Sequence, residues 1–316
     1  MFQKILIPVD GSACGERGAG FGLEIARRLR ARVVLTNALI EYATIKDGHR
    51  TLGPSSDRAK ALGVTFETRL AEGRYLSVGD GILEAGQETG CDLIVMGTHG
   101  REGLGRLLLG SVAERVSRQA SVPVMLLRDF EHSSPPFRLE RILVAVDGSP
   151  QSDLALSTAN DLAAALGAGL EVINVTPDIP AVYSYTAYEY SPMINFEQYQ
   201  QELEAESQAI LAAALARLEG NPPKAVGVHA SRIPANGERI GDVIVKTANE
   251  LKADLIVLGT HGRSGMDRLL LGSVAENVSH HASAPVLIVR GVAVRSNDST
   301  KTNSSKPVSE NAISAR

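Results

Sequence analysis

Residues 92–128, DLIVMGTHGREGLGRLLLGSVAERVSRQASVPVMLLR, return at 254–290 as DLIVLGTHGRSGMDRLLLGSVAENVSHHASAPVLIVR, with 26 of 37 aligned positions identical. An internal copy this faithful restricts the chain to folds built from two equivalent units. Each copy begins with an apolar strand (Leu93 to Met96, Leu255 to Leu258) and passes through a glycine-punctuated loop. It then enters a helix near Gly110-Ser111 or Gly272-Ser273 and ends in a second apolar run. The glycines keep one spacing in both copies: Gly97, Gly100 and Gly110 against Gly259, Gly262 and Gly272. Glycine allows positive φ and close backbone approach, and unpaired N–H groups at a helix start attract phosphate. The pattern predicts a strand, an anion-ready loop and a helix N-terminus, twice, as in a duplicated nucleotide-binding fold.

The duplication extends upstream. Lys4 to Val9 (KILIPV) runs into Asp10-Gly11-Ser12, and Arg141 to Val146 (RILVAV) runs into Asp147-Gly148-Ser149. A helix follows each turn, and Pro150 suits the first position of the second one. Strand, turn and helix in succession open a parallel sheet. Further strands are expected at Arg32 to Leu39, Val64 to Ala71, Asp92 to Met96 and Val124 to Leu127, with a helix over Ser77 to Thr89. In the second copy strands are expected at Leu170 to Val175, about Ala225 to Ser231, and Val286 to Val289. Helices are expected there over Phe196 to Glu219 and Glu238 to Leu251. The offset between copies is 137 at Asp10/Asp147 and 162 at Gly97/Gly259, so the second copy holds 25 extra residues, mainly between its second and third strands. Residues 40–63 are polar and contain Gly48, Gly53 and Pro54, leaving room for a short helical turn around Ser56 to Leu62. The first unit is therefore expected to lack most of its second helix.

Strands that alternate with helices and are continuously apolar assign the fold class α/β: two tandem domains, each an open five-stranded parallel sheet with helices on both faces. The domains are read as 1–128 and 140–290, joined by a linker at 129–139 that holds Ser-Ser-Pro-Pro. Residues 291–316, rich in Ser, Asn, Thr and Lys, read as a disordered tail. In such sheets ligands sit beyond the carboxyl ends of the strands, at the switch point. Asp10, Asn37-Ala38 and Gly97 fall there, as do Asp147, Asn174-Val175 and Gly259.

Several function classes are disfavoured. The net charge of −4, from 36 acidic and 32 basic residues, provides no general basic field for nucleic acid or anionic lipid. No apolar run approaches the ~20 residues of a membrane helix, and MFQKILIPVDGS goes straight into a strand and turn, so the expected compartment is the cytosol. Cys14 and Cys91 have neither disulfide-framework nor metal-ligand spacing and read as small buried or half-buried thiols, with a redox role for Cys14, just after a turn, as the alternative. His99 and His261 have no second histidine or carboxylate at ligand spacing, so a metal site built from protein groups is not expected. His280-His281 reads as facing solvent, and Tyr183, Tyr185, Tyr188 and Tyr190 as part of a surface loop able to cover a nucleotide or meet a partner.

On these residues the chain resembles the universal stress protein family over 1–128 and 140–290. The pattern GxxGx9G(S/T) of its ATP-binding branch stands here twice, each time behind a VDGS turn. The resemblance implies an adenine nucleotide alpha hydrolase-like fold with strands one and four side by side and adenosine across them. Carried over, it implies that Asp10 and Asp147, with Pro8-Val9 and Ala145-Val146, border adenine and ribose. Ala38 and Val175 would offer backbone groups to the adenine edge, and Gly97 and Gly259 would let the ribose approach. Gly100, Arg101, Gly103 and Gly262, Arg263, Gly265 would shape the turn over the phosphates. Gly110-Ser111-Val112 and Gly272-Ser273-Val274 would bind phosphate. It further implies that the fifth strands pair, making the chain its own pseudo-dimer; association into a homodimer is not readable.

Ligand-free readings stand beside these. Asp10 and Asp147 suit turns or helix N-caps, Ser111 and Ser273 suit N-caps, and Arg101, Arg106, Arg263 and Arg268 suit solvated surfaces. Neither loop ends in the GK(S/T) of a Walker motif, and no SGGxDS loop is present. The expectation is a stress-response regulator that binds ATP in one or both repeats, with no catalytic residues, and with Mg2+ or Mn2+ entering through the phosphates and water. The alternatives are an interaction module without nucleotide, or a slow ATPase. The short second helix, and Ala38 where the second copy has Val175, predict weaker binding in the first repeat.

Overall fold

A computed structural model of the chain describes residues 1–38, 44–71, 77–99, 109–128, 139–177, 196–220, 225–260 and 271–290. The first repeat supplies β1 (Lys4–Pro8), α1 (Ala13–Leu29), β2 (Arg32–Ala38), α2 (Ile45–Ala61), β3 (Phe66–Ala71), α3 (Val78–Thr89), β4 (Leu93–Gly97), α4 (Ser111–Gln119) and β5 (Val124–Leu127). The second supplies β6 (Arg141–Ala145), α5 (Pro150–Leu166), β7 (Gly169–Thr176), α6 (Phe196–Gly220), β8 (Val228–Pro234), α7 (Ile240–Glu250), β9 (Leu255–Gly259), α8 (Ser273–His281) and β10 (Val286–Val289). The linker expected at 129–139, apart from Leu139, and the tail at 291–316 lie outside the described residues.

The strands form one ten-stranded sheet in the order β3-β2-β1-β4-β5-β10-β9-β6-β7-β8. Every neighbouring pair is parallel except β5 and β10, where Leu126 faces Val286 and Val124 faces Ile288 in antiparallel register. Along β1, Ile5 and Ile7 join one apolar cluster with α1, α2, α5 and α6, while Leu6 joins another with α3, α4, α7 and α8. Burial on both faces explains why these strands read as continuous apolar runs. Each cluster crosses the junction between repeats, taking Met125 and Leu287 on one face and Leu126 and Ile288 on the other. In each repeat the chain leaves the first strand toward β2 or β7, while β4 or β9 lies on its other side. That reversal is the switch point, and it opens a crevice at the carboxyl ends.

The second helix of the first repeat is present, contrary to expectation: α2 runs for 17 residues. Gly48, Leu52, Ser55 and Ala59 form its buried stripe at helical spacing, but only Leu52 is large and apolar, which hid the periodicity. A capping box starts it, with the Thr44 hydroxyl accepting from Asp47 N–H and the Asp47 carboxylate accepting from Thr44 N–H, both at 3.2 Å. Ser55 ties it to α1 by donating to Glu16 Oε2 at 3.0 Å. These contacts hold the helix despite Pro54, which has no N–H for the carbonyl of Arg50. The extra length of the second copy lies in the longer segment before α6 and in α6 itself, which has 25 residues.

Side chains reinforce the junction between repeats. Arg118 Nη2 reaches Glu276 Oε1 at 3.0 Å and Glu114 Oε1 at 2.9 Å. Arg290 Nη2 donates to the Ser117 carbonyl at 2.8 Å, and Arg128 Nη1 donates to the carbonyl of His280. His280 does not simply face solvent as expected: it is half-buried at this junction and its Nε2 is fully buried. No helix among the described residues is long and apolar enough to cross a membrane.

Candidate functional site

The crevice is built from strand ends held by a repeated set of hydrogen bonds. Beyond β1, the N–H of Val9 donates to the Thr36 carbonyl at 2.8 Å, and beyond β6 that of Val146 donates to the Ile173 carbonyl at 2.8 Å. The chain then turns through Gly11 (φ 78°) and Gly148 (φ 81°), a left-handed conformation that favours glycine. Asp10 Oδ1 accepts from the Ser12 N–H at 2.9 Å and its hydroxyl at 2.7 Å, and Asp147 Oδ1 accepts from the Ser149 N–H at 3.0 Å. The N-caps of α1 and α5 are Ser12 and Ser149, so the two aspartates are turn residues at the crevice rim and not caps.

Two asparagines hold these turns from behind. Asn37 Nδ2 donates to the Val9 carbonyl and Asn174 Nδ2 to the Val146 carbonyl, each at 2.7 Å. Both are buried polar groups in apolar strands, and sequence places both at the switch point without giving either a role. The available signal was their duplication at one offset within TNA and INV. Ala38 and Val175, one residue further on, are half-buried at the ends of their strands.

The other wall is the end of β4 or β9. A Cβ on Gly97 would lie 2.9 Å from the Cys14 carbonyl oxygen, and one on Gly259 would lie 2.9 Å from that of Gln151. The first turn of α1 or α5 therefore requires glycine here whether or not a ribose approaches. The loop leaving Thr98 returns at Gly110, whose N–H donates to the Thr98 carbonyl at 2.8 Å; Gly272 does the same to Thr260 at 2.7 Å. This bond pins each helix start beside the strand end, another feature sequence reading missed. A Cβ on Gly110 would meet the Thr98 carbonyl oxygen at 2.7 Å.

Helices α4 and α8 begin without a side-chain cap. Their N-cap residues are Gly110 and Gly272; α7 also starts without a side-chain cap, behind Arg239, whereas hydroxyls cap α1, α2, α3 and α5. Ser111 and Ser273 are not N-caps but the first helical residues, and both are exposed. The first N–H groups of a helix have no internal acceptor, so those of Ser111-Val112 and Ser273-Val274 are turned toward a helix end with positive dipole character. Such a donor set suits an anion.

The structure thus brings Pro8, Val9, Asp10, Ala38, Gly97, Gly110, Ser111 and Val112 to one end of the sheet. It groups Ala145, Val146, Asp147, Val175, Gly259, Gly272, Ser273 and Val274 in the same way. Gly100, Arg101, Gly103, Arg106, Gly262, Arg263, Gly265, Arg268, His261 and the four loop tyrosines lie outside the described residues. His99 Nδ1 is 2.9 Å from the Thr98 hydroxyl. No group of three or more His, Cys, Asp or Glu suited to a metal occurs among the described residues.

A universal stress protein of Mycobacterium tuberculosis is 33% identical over 199 residues, covering 63% of this chain and 62% of that protein, so the chain spans about three fifths of its length. One from Mycolicibacterium smegmatis is 32% identical over 228 residues, covering 72% of this chain and 70% of that protein. Among solved structures, a universal stress protein from Archaeoglobus fulgidus superposes with a TM-score of 0.65 at 20% identity, over 91% of this chain and 98% of that one, a likeness of fold. The sequence model of the universal stress protein family matches residues 1–128 and 138–290. With both repeats matched and the duplicated crevice built from the matched segments, the chain belongs to the universal stress protein family.

Proposed function

We propose that each repeat binds an adenine nucleotide, ATP, across the carboxyl ends of β1, β2 and β4 or of β6, β7 and β9, and that the protein is a cytosolic stress-response regulator. The observation that carries this reading is the uncapped start of α4 and α8, pinned by one backbone hydrogen bond to the strand end beside Asp10 or Asp147. The donor chemistry fits the ligand. Half-buried strand ends suit a base and sugar, the aspartates suit ribose hydroxyls, and the Ser111-Val112 and Ser273-Val274 N–H groups suit phosphate oxygens. A divalent ion, Mg2+ or Mn2+, would neutralise phosphate charge when bound and would be held mainly by phosphates and water.

Retention of the nucleotide, not its turnover, is the favoured activity, since neither loop carries a Walker lysine. Occupancy would then act through assembly or partner contacts. Calorimetry on the purified chain tests the reading. ATP should bind, Asp10→Ala and Asp147→Ala should each remove one site, and the double variant should bind none. No heat of binding up to millimolar ATP would overturn it.

A further inference from the structure

Asn37 and Asn174 make the same bond to the strand-end carbonyl, yet among the described residues only Asn174 is held from its other side. In α6, Ser207 is 1% exposed and its hydroxyl donates to Asn174 Oδ1 at 2.6 Å. Asn174, 5% exposed, passes the constraint on by donating from Nδ2 to the Val146 carbonyl at 2.7 Å. That carbonyl and the Asp147 N–H belong to one planar peptide unit, so fixing one orients the other. With a donor on Oδ1 and an acceptor at Nδ2, both ends of the Asn174 amide are committed and its orientation is set. In the first repeat the buried serine of α2 is also 1% exposed, but it points elsewhere: Ser55 donates to Glu16 Oε2 at 3.0 Å. Among the described residues, α2 sends no hydroxyl to Asn37.

We infer that Ser207 is a positioning residue for the second nucleotide site, acting through Asn174 on the Val146–Asp147 peptide, and that it makes this site the tighter of the two. The inference rests on the nucleotide-binding reading above and gives the inequality of the repeats a cause. It replaces one of the two reasons offered from sequence, a missing second helix, since α2 is present; the other, Ala38 in place of Val175, still stands. The relay ends at the strand that borders base and sugar, so its effect falls on adenosine recognition and leaves the phosphate contacts of α8 alone.

The test is calorimetry on the full chain carrying Asp10→Ala, titrated with ATP and separately with adenosine. Removing one buried hydrogen bond predicts that Ser207→Ala weakens both ligands by the same factor, about three- to tenfold. In a double-mutant cycle, Ser207→Ala should add little once Asn174→Ala is present, because the serine acts through that amide. Ser55→Ala, the matched buried serine, should leave affinity at the second site unchanged. If Ser207→Ala does not fold, the nearly isosteric Ser207→Cys keeps the packing, weakens the donor and is expected to shift affinity the same way. Unchanged affinity in the folded serine variants, or full additivity with Asn174→Ala, overturns the inference while the nucleotide reading stands. Absence of ATP binding in the unsubstituted chain overturns both.

Discussion

Cys91 illustrates how burial decides the chemistry of a single residue. It is buried just before β4, where desolvation, helped by the neighbouring Asp92 charge, pushes its thiol up to about 11. The thiolate is the reactive species, so native Cys91 should react with iodoacetamide on the order of a hundredfold more slowly than in the unfolded chain. Peptide mapping of time-resolved alkylation measures this, and equal rates would contradict it. Cys14 is also buried, its thiol donating to the Leu127 carbonyl at 3.6 Å, in line with the plain structural role read from sequence for both thiols. Legibility at this scale followed backbone demand. Asp10, Gly97 and Gly110 were visible because turns and close approaches require particular residues at particular spacings. Asn37 and Asn174 were placed at the strand ends without a role and Ser207 was not seen, because an amide or hydroxyl acquires its role from partners that only the folded sheet brings near.

At the scale of elements, strand and helix positions emerged from apolar runs and turn residues, and β5 and β10 were located to the residue. The exception was α2, whose buried stripe is mostly glycine, serine and alanine and whose interior carries Pro54. Local propensity argued against a helix that tertiary contacts and a capping box sustain. Pro54→Ala would restore an N–H to the helix and should raise the free energy of unfolding by roughly 1 to 3 kcal/mol. Urea denaturation measures the change; no gain would mean that α2 is already bent to accommodate the ring. The uncapped starts of α4 and α8 belong to the same scale. Hydroxyls cap the first turn of four other helices, α7 starts uncapped behind Arg239, and α4 and α8 start uncapped behind glycines pinned to a strand end.

For the whole molecule, the junction of β5 with β10 merges two five-stranded units into one sheet with shared cores. All four residues of each of these strands are buried, so separating the repeats would expose apolar edge strands. His280 makes this junction sensitive to acid. Burial is the main influence and holds its pKa below the ordinary imidazole range; His281 and Arg128 act in the same direction, against Glu276 and Glu114. Arg118 from α4 pairs with both of those glutamates. Above the unfolded-state value of about 6.5 the ring is neutral in both states and exerts no pH effect. As pH falls through that value, the unfolded chain takes up a proton that the folded junction resists, and stability declines until the lower folded-state value is passed. Thermal unfolding between about pH 5.5 and pH 7.5 should show this loss, and His280→Gln should flatten it. An unchanged slope in the variant would place the acid sensitivity elsewhere.

Duplication leaves two crevices of one design in this sheet, and each should hold a nucleotide, the second more tightly. Native mass spectrometry of the intact chain titrated with ATP counts the bound ligands. Adducts of one and then two adenine nucleotides per chain are expected, with the first to fill lost in Asp147→Ala. A spectrum with no bound nucleotide at millimolar ATP would contradict this expectation.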